Sequence, residues 1–218
     1  MFDEAGGVQC LDRIVFVIFM AFLVFFCISL ETWVYYSSMK KTEGLVYVFA
    51  GKGKGKTSAA LGVAVRMLLL SKSVVWISWF KEKSWKVAEM KLPKVFKKKL
   101  KMYWMGKGFY GGPEDHNAAE EHKKSAQNAL SLAKKELINM GDVVELLVLD
   151  EIIRAVNDKL IKVSDVLELI KMRGETHLIL TGHDCPVEIR KHADLVTEMK
   201  KIKHPYDKGV LAIRGLDF

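Results

Sequence analysis

The segment VYVFAGKGKGKTSAALG, residues 46–62, constrains the fold more than any other part of the chain. An apolar run enters a loop with glycines at positions 51, 53 and 55, and a helical pattern begins at Thr57. Glycines let backbone N–H groups converge on an anion, and the N-terminus of the following helix adds a favourable dipole. The strand–loop–helix order therefore predicts a phosphate-binding loop.

A second motif, which is acidic, supports this interpretation. Lys56 can reach phosphate oxygens and the Thr57 hydroxyl can ligate Mg²⁺, although the strict pattern GxxxxGK[ST] is broken by Ala50. Further along, the run ELLVLDE is an apolar strand that ends in Asp150 and Glu151, as a Walker B strand does. Such carboxylates hold Mg²⁺ directly or through water. Together the two motifs indicate a nucleotide site.

The pattern from residue 45 onward predicts parallel βαβ units, because short apolar β-branched runs alternate with helical stretches. We expect an α/β fold, a three-layer α/β/α phosphate-loop NTPase-like (RecA-like) domain with a mainly parallel sheet, over residues 39–218. The predicted strands are 45–49, 74–79, 101–105, 145–150, 178–181, 195–199 and 210–213. The predicted helices are 57–70, 118–140, 164–173 and 186–193.

Residues 1–38 form a hydrophobic leader that allows two interpretations. Residues 14–30 are an uncharged run of 17, which approaches the length needed to span a bilayer as a helix. With Lys40 and Lys41 behind it, an anchor through residues 14–36 would leave the catalytic domain on the cytoplasmic side. Alternatively, Met39-Lys40-Lys41 is the natural start and the leader reflects a mis-assigned start codon. Both interpretations stay open.

The charge of the chain is concentrated in one region. The formal net charge is +8, and residues 81–107 contain ten lysines and only two glutamates. Such a patch attracts nucleic acid, an anionic membrane surface or a multiply charged small substrate, but it is more commonly a solvated face. The three cysteines have no CxxC spacing, which excludes a disulfide framework and favours a reducing, cytoplasmic compartment.

The loop AGKGKGKTSAALG resembles that of the ATP:corrinoid adenosyltransferases of the cobalamin-biosynthetic type, which also lack the first glycine of the strict pattern. Further resemblances follow in order: MGKGF at 105–109, VLDE at 148–151, LTG at 180–182, ADLVTE at 193–198, KHPYDKG at 203–209 and AIRGLDF at 212–218. The resemblance covers about residues 44–218. It implies transfer of the 5′-deoxyadenosyl group of ATP to Co(I) of a corrinoid, with release of triphosphate.

The resemblance also implies roles for particular residues. Catalysis is expected from Lys56 and Glu151, and Mg²⁺ binding from Thr57, Asp150 and Glu151. ATP binding is expected from Gly51, Lys52, Gly53, Lys54, Gly55, Lys56, Thr57, Ser58 and His183. Corrinoid contacts are expected from Phe109, Tyr110, Trp79 and His204.

Two positions depart from the family pattern. Gly111 stands where some members have a second aromatic residue, which leaves Tyr110 as its candidate substitute. His183 stands where many members have arginine, so a phosphate contact there would be weaker and dependent on pH.

The implied partners are ATP, a corrinoid, an external reductant for Co(II) and a second copy of the chain, with no nucleic acid. Two other functions remain open. A RecA-like nucleic-acid-binding ATPase would use the basic region 81–107, and a membrane-tethered nucleotide-binding regulator would lack transferase activity.

Overall fold

A single parallel sheet organises the part of the chain that the structure describes. The structure is a computed structural model that describes residues 43–112, 115–139 and 143–217. Its strands are β1 Val46–Ala50, β2 Val74–Ser78, β3 Leu100–Trp104, β4 Leu146–Asp150, β5 His177–Thr181 and β6 Leu195–Glu198. They lie in the order β3-β2-β4-β5-β1-β6, and every neighbouring pair is parallel.

The helices of the described residues cross between these strands. They are α1 Lys56–Leu69, α2 Leu92–Phe96, α3 Ala119–Ile138, α4 Ile152–Asn157, α5 Val163–Met172 and α6 Val187–Arg190. Shorter 3-10 turns occupy Ala88–Lys91, Lys97–Lys99 and Pro205–Lys208.

Both faces of the sheet are covered by helices, which explains why the central strands are apolar along their whole length. Alternate strand residues point to opposite faces, so two core clusters form. On one face Trp76, Val148 and Ile179 pack with Ala60, Ala64 and Leu68 of α1. On the other face Ile77, Leu149 and Leu180 pack with Ala126, Ala129 and Ala133 of α3 and with α4 to α6. The predicted three-layer α/β/α arrangement is confirmed.

The strand order sets the position of a binding crevice. β1 and β2 are consecutive in the chain, yet β4 and β5 lie between them in the sheet. In open parallel sheets, ligands bind beyond the carboxyl ends of the strands where the order reverses in this way. The loops that follow β1, β2, β4 and β5 therefore converge at one edge, which we call the carboxyl edge.

One predicted strand is wrong. Residues 210–213 are exposed and carry no strand, although their apolar pattern resembles one. β6 itself pairs only with β1, and none of the described residues adds a further strand beside β6. Other differences are smaller: helix 186–193 shortens to Val187–Arg190, and the turns and short helices between residues 88 and 99 were not predicted.

The predicted N-terminal helix and the proposed anchor through residues 14–36 lie outside the described residues. Within residues 43–112, 115–139 and 143–217, none of the helices combines the length and apolar character needed to cross a bilayer.

Candidate functional site

The phosphate-binding loop occupies residues 51–55, between β1 and α1. Gly51 and Gly55 have φ of 107° and 115°, values that residues with a side chain rarely adopt. A Cβ on Gly53 would lie 2.7 Å from the Met199 carbonyl oxygen. The loop is fastened to its neighbours because Gly51 N donates to the His183 oxygen and Gly53 N to the Met199 oxygen, both at 2.7 Å. Glycine is thus required sterically as well as for anion binding.

Lys56 folds its side chain back into this loop. Its Nζ donates to the carbonyl oxygens of Gly51 at 2.8 Å and Gly53 at 3.0 Å, and the side chain is buried. Burial lowers the pKa of the Lys56 amino group, while the negative charges of Glu151 and Asp150 oppose that decrease. A cation is therefore held at the centre of the loop.

Asp150 connects four elements at the carboxyl edge. It is completely buried and accepts hydrogen bonds from Thr57 Oγ1 at 3.0 Å, Ser78 Oγ at 3.1 Å and Thr181 Oγ1 at 3.0 Å. The Thr181 hydroxyl also accepts from the Glu151 backbone N–H at 2.8 Å. The carboxylate at the end of β4 is thereby fixed against the first turn of α1 and the end of β5.

Glu151 is held in an unusual environment. Its φ of 65° is left-handed, a conformation that stores strain in a residue with a side chain. Burial, reinforced by the neighbouring Asp150 carboxylate, raises the pKa of Glu151 to about 7. Its Oε2 is buried and has no hydrogen-bond partner among the described residues. A buried oxygen without a hydrogen-bond partner is expected where a cation binds, because the cation would satisfy it.

The oxygen atoms of Thr57, Asp150 and Glu151 suit Mg²⁺, which prefers hard oxygen ligands. Mg²⁺ is usually held by one or two carboxylates together with substrate phosphates and water, rather than by a complete protein cage. The described residues contain no group of three histidine, cysteine or acidic side chains that would form such a cage. The residues present fit the predicted ion.

Lys81 adds a second buried cation. Its Nζ lies 2.7 Å from Glu89 Oε1 and 3.4 Å from Asp150 Oδ2. Burial alone would lower the pKa of Lys81, but the charges of Asp150 and Glu89 outweigh burial and raise it. Lys81, the first lysine of the basic region, thus belongs to the site, where the two carboxylates balance its positive charge.

Phe109 belongs to a cluster of three rings and one guanidinium. Its ring stacks with Phe80 at a centroid distance of 6.1 Å and contacts Trp85 at 5.3 Å. The Arg154 guanidinium lies 4.5 Å from the centre of the Phe109 ring and 5.0 Å from that of Phe80. Cation–π contacts of this kind hold a ring in place. Phe109 still exposes 44% of its surface.

Backbone hydrogen bonds position the loop that carries Phe109. Met105 N donates to the Ser78 oxygen, Gly106 N to the Lys81 oxygen and Gly108 N to the Phe80 oxygen, at 3.0 to 3.1 Å. The pairing of β2 with β3 thus continues past the strand ends. A Cβ on Gly106 would lie 2.0 Å from the carbonyl carbon of Phe80, so only glycine permits this approach.

The other three predicted corrinoid contacts are located differently. Tyr110 is half-buried and faces the core, 5.2 Å from the His122 ring. Trp79 is only 3% exposed, so it is a core residue and its ring offers no surface to a corrin. His204 accepts from Tyr206 N at 3.2 Å and caps a 3-10 turn. None of the hydrogen bonds or ring contacts found among the described residues links His204 to the loop or to Phe109.

The remaining predicted phosphate contacts lie in the loop or next to it. Lys52, Lys54 and Ser58 are exposed, and Lys54 forms an ion pair with Asp217. His183 is half-buried, and burial lowers the pKa of its imidazole, with further lowering by Lys56 and Arg154. A cavity of about 830 Å³ opens beside the loop. Its lining includes Thr57, Ser58, Lys81, Trp85, Glu89 and Asp217.

Several residues of this region were not predicted from the sequence. The charge of Arg154 lowers the pKa values of Lys56, Glu151 and His183, and its guanidinium also contacts the rings of Phe80 and Phe109. Its position three residues after Glu151, on the first turn of α4, was the available signal. Trp85 and Asp217 come from irregular segments and carried no such signal.

Comparison with known proteins agrees with this geometry. Residues 42–218 match the family model described as ATP:corrinoid adenosyltransferase BtuR/CobO/CobP. A corrinoid adenosyltransferase of Sinorhizobium sp is 30% identical over 179 residues, covering 81% of each chain. Corrinoid adenosyltransferase CobA of Salmonella typhimurium is 29% identical over 185 residues, covering 82% of this chain and 88% of the relative.

Likeness to solved structures is more distant. The assembled ATPase EscN of enteropathogenic E. coli, in complex with its central stalk EscO, superposes with a TM-score of 0.42 at 17% identity. The match covers 73% of this chain and 42% of that one, and it carries no weight beside the family match. On the family model, which spans the whole described unit, this chain belongs to the ATP:corrinoid adenosyltransferase BtuR/CobO/CobP family.

Proposed function

We propose that this chain transfers the 5′-deoxyadenosyl group of ATP to Co(I) of a corrinoid such as cob(I)yrinic acid a,c-diamide or cobalamin. A cobalt–carbon bond forms at C5′, the C5′–oxygen bond breaks, and its electron pair leaves with triphosphate. The observation that carries the proposal is convergence at the carboxyl edge. In a member of this family, the phosphate loop and the Asp150 and Glu151 carboxylates lie at the same edge of the sheet as Arg154, whose guanidinium contacts the exposed Phe109 ring.

Stabilisation of the departing triphosphate is the main task of the loop. The Lys56 amino group is within hydrogen-bond distance of two loop carbonyls, so a small rearrangement brings it to a phosphate oxygen. The loop N–H groups other than those of Gly51 and Gly53, together with the start of α1, add partial positive charge, and Lys54 is exposed in the loop. The reaction requires no side chain to activate water, so positioning and electrostatics account for catalysis.

Thr57, Asp150 and Glu151 would hold Mg²⁺, which when bound would neutralise part of the charge on triphosphate. Thr181 and Ser78 keep the Asp150 carboxylate oriented through their hydroxyls. Glu151 presents a buried oxygen without a partner, and loss of its proton near neutral pH makes it a ligand. This is the role we propose for Glu151 in catalysis.

We propose that the corrin ring contacts the exposed face of Phe109. In the family such an aromatic excludes the lower axial ligand of cobalt, which makes Co(II) easier to reduce. Trp85, Phe80 and Arg154 support the Phe109 ring from its other sides. The electron for Co(I) must come from an external reductant. We further propose, from the family alone, a homodimer in the cytoplasm.

The test is an anaerobic assay of the full chain with ATP, Mg²⁺ and chemically reduced cobalamin or cobinamide, following the Co(I) spectrum. We expect a light-sensitive alkylcorrinoid and one triphosphate per turnover. Lys56→Ala should reduce the rate at least 100-fold, since removal of one transition-state donor has effects of about this size. The matched control is Lys123→Ala, on the exposed surface of α3.

No alkylcorrinoid, with ATP still bound, would refute the transferase. If oligonucleotides then stimulated ATP hydrolysis, the chain would be the RecA-like ATPase instead. That alternative draws on the basic region 81–107, and Lys81 of this region is already paired with carboxylates.

A further inference from the structure

The opposite edge of the sheet, where the strands begin, carries exposed apolar side chains; we call it the amino edge. Because all six strands are parallel, the residues that precede them meet at this edge. Large apolar side chains there are 42 to 75% exposed: Leu45, Leu69, Leu70, Ile138 and Val143. Single exposed apolar residues are ordinary, but a group at one edge marks an interaction surface.

Lysines are interleaved with these apolar residues. Lys72 lies between Leu70 and β2, and the exposed lysines 97 to 99 directly precede β3. A cavity of about 600 Å³ is lined by Lys98, Lys99 and Lys101 together with Val143, Val144 and Glu145. A second, mostly apolar cavity of about 210 Å³ is lined at the same edge by Leu45, Met67 and His177. Positive charge and apolar surface therefore share one region.

The amino edge is a fixed surface. Ser73 N donates to Glu145 Oε2 at 2.9 Å, and Lys72 Nζ pairs with the other oxygen of that carboxylate at 2.6 Å. Thr176 Oγ1 donates to the Val144 oxygen at 2.7 Å. These bonds tie together the segments that lead into β2, β4 and β5. The exposure of Leu70 and Val143 is thus built into hydrogen-bonded turns.

We propose that the amino edge docks on an anionic lipid surface. Lysines attract acidic headgroups while adjacent apolar side chains enter the interface, and each contributes independently to binding. Nucleic acid would pair with the lysines but would leave the apolar side chains exposed to water. The active site would remain free, because a five-residue strand separates the two edges by roughly 16 Å.

The position of the preceding chain supports a lipid partner over a protein. Glu43 is held at this edge by Arg173, 3.0 Å away, and Gly44 N donates to the Gly174 oxygen at 2.8 Å. The 42 residues that precede Glu43 contain the uncharged run 14–30. The part of the chain that contains this run is therefore connected to the described unit through Glu43, at the edge that carries the lysines.

The experiment measures partitioning of the full chain onto vesicles of phosphatidylcholine alone and of phosphatidylcholine with phosphatidylglycerol. We expect tighter binding to the anionic vesicles, weakened by added salt. Lys98→Gln/Lys99→Gln should reduce that preference about 25-fold, since each lysine beside an anionic bilayer contributes a factor of roughly five. Leu70→Gln/Val143→Gln should weaken binding to anionic vesicles without changing its dependence on salt. Solution activity should be unchanged in both.

The control is Lys123→Gln/Lys124→Gln, which removes the same charge from the exposed start of α3 near the carboxyl edge. Residues 1–42 are present in every variant, so any contribution from them cancels. Equal binding to both vesicles, no binding, or equal losses in control and test variants would overturn the proposal. Binding of oligonucleotides at Lys98 and Lys99 without a preference for anionic lipid would overturn it in favour of nucleic acid.

Discussion

Replacing Glu151 with glutamine should stabilise the folded protein, and the gain should depend on pH. The pKa of Glu151 rises from 4.5 in the unfolded chain to about 7 in the folded protein. The folded state therefore binds this proton more tightly, and stability is lost as the pH increases from about 4.5 to about 7. At roughly 1.4 kcal/mol per pKa unit, the ionised carboxylate costs about 3 kcal/mol above pH 7.

Glu151→Gln removes that cost without removing side-chain volume. We expect the variant to be more stable than the wild type by about 3 kcal/mol at pH 8 and by about 1 kcal/mol at pH 5. The measurement is urea unfolding at the two pH values in buffer containing a metal chelator. Glu121→Gln, on the exposed start of α3, is the matched control.

A Mg²⁺ titration extends the same measurement. If Glu151 ligates the ion, Mg²⁺ should stabilise the wild type more at pH 8 than at pH 5, and Glu151→Gln should reduce this effect. An equal stability difference at both pH values, or a wild type that is the more stable protein at pH 8, would refute the reasoning about burial.

Three further predictions concern other parts of the site. Gly106→Ala should lower the free energy of unfolding by roughly 3 kcal/mol, because the added Cβ would meet the Phe80 backbone at 2.0 Å. Thermal unfolding tests this, and a change below 1 kcal/mol would contradict it. Arg154→Leu should raise the KM for the corrinoid about fivefold, with partial recovery in Arg154→Lys, because a cation–π contact contributes about 1 kcal/mol. An unchanged KM would show that the Phe109 ring needs no such support. Thr181→Val should lower stability by about 1 to 2 kcal/mol and weaken Mg²⁺-ATP binding in calorimetry, because Asp150 loses a buried donor; unaltered stability and binding would argue against that role.

The sequence predicted the parts of the site that rest on local backbone requirements. The glycines of residues 51–55 and the carboxylates at 150–151 follow apolar strands, and parallel strands bring their carboxyl ends together. Such motifs can be recognised in a sequence because few residue types satisfy the backbone geometry that they require. The sheet was predicted for the same reason, since buried parallel strands are continuous apolar runs.

The remainder depends on tertiary contacts that leave no local pattern. Arg154 is significant because Phe80 and Phe109, both distant in the chain, lie beside it. Trp79 and Phe80 are adjacent and both are buried in the same core cluster, yet Phe80 stacks with Phe109, a contact that no local pattern predicts. Residues 210–213 show the converse error: an apolar run is a strand only if a neighbouring strand offers free hydrogen-bonding groups.

The backbone pairing of residues 105–108 with the end of β2 limits how this enzyme can diversify. Inserting or deleting a residue there would break the hydrogen bonds to Ser78, Phe80 and Lys81 and would move Phe109 out of its cluster. Just beyond, a side chain at Gly111 would meet no atom within 4 Å, but the φ of 69° at Gly111 still favours glycine. On the proposed corrin contact with Phe109, new corrinoid preferences should therefore arise by change after residue 109, while residues 105–109 stay constant in number. Libraries for altered substrate range can be confined accordingly.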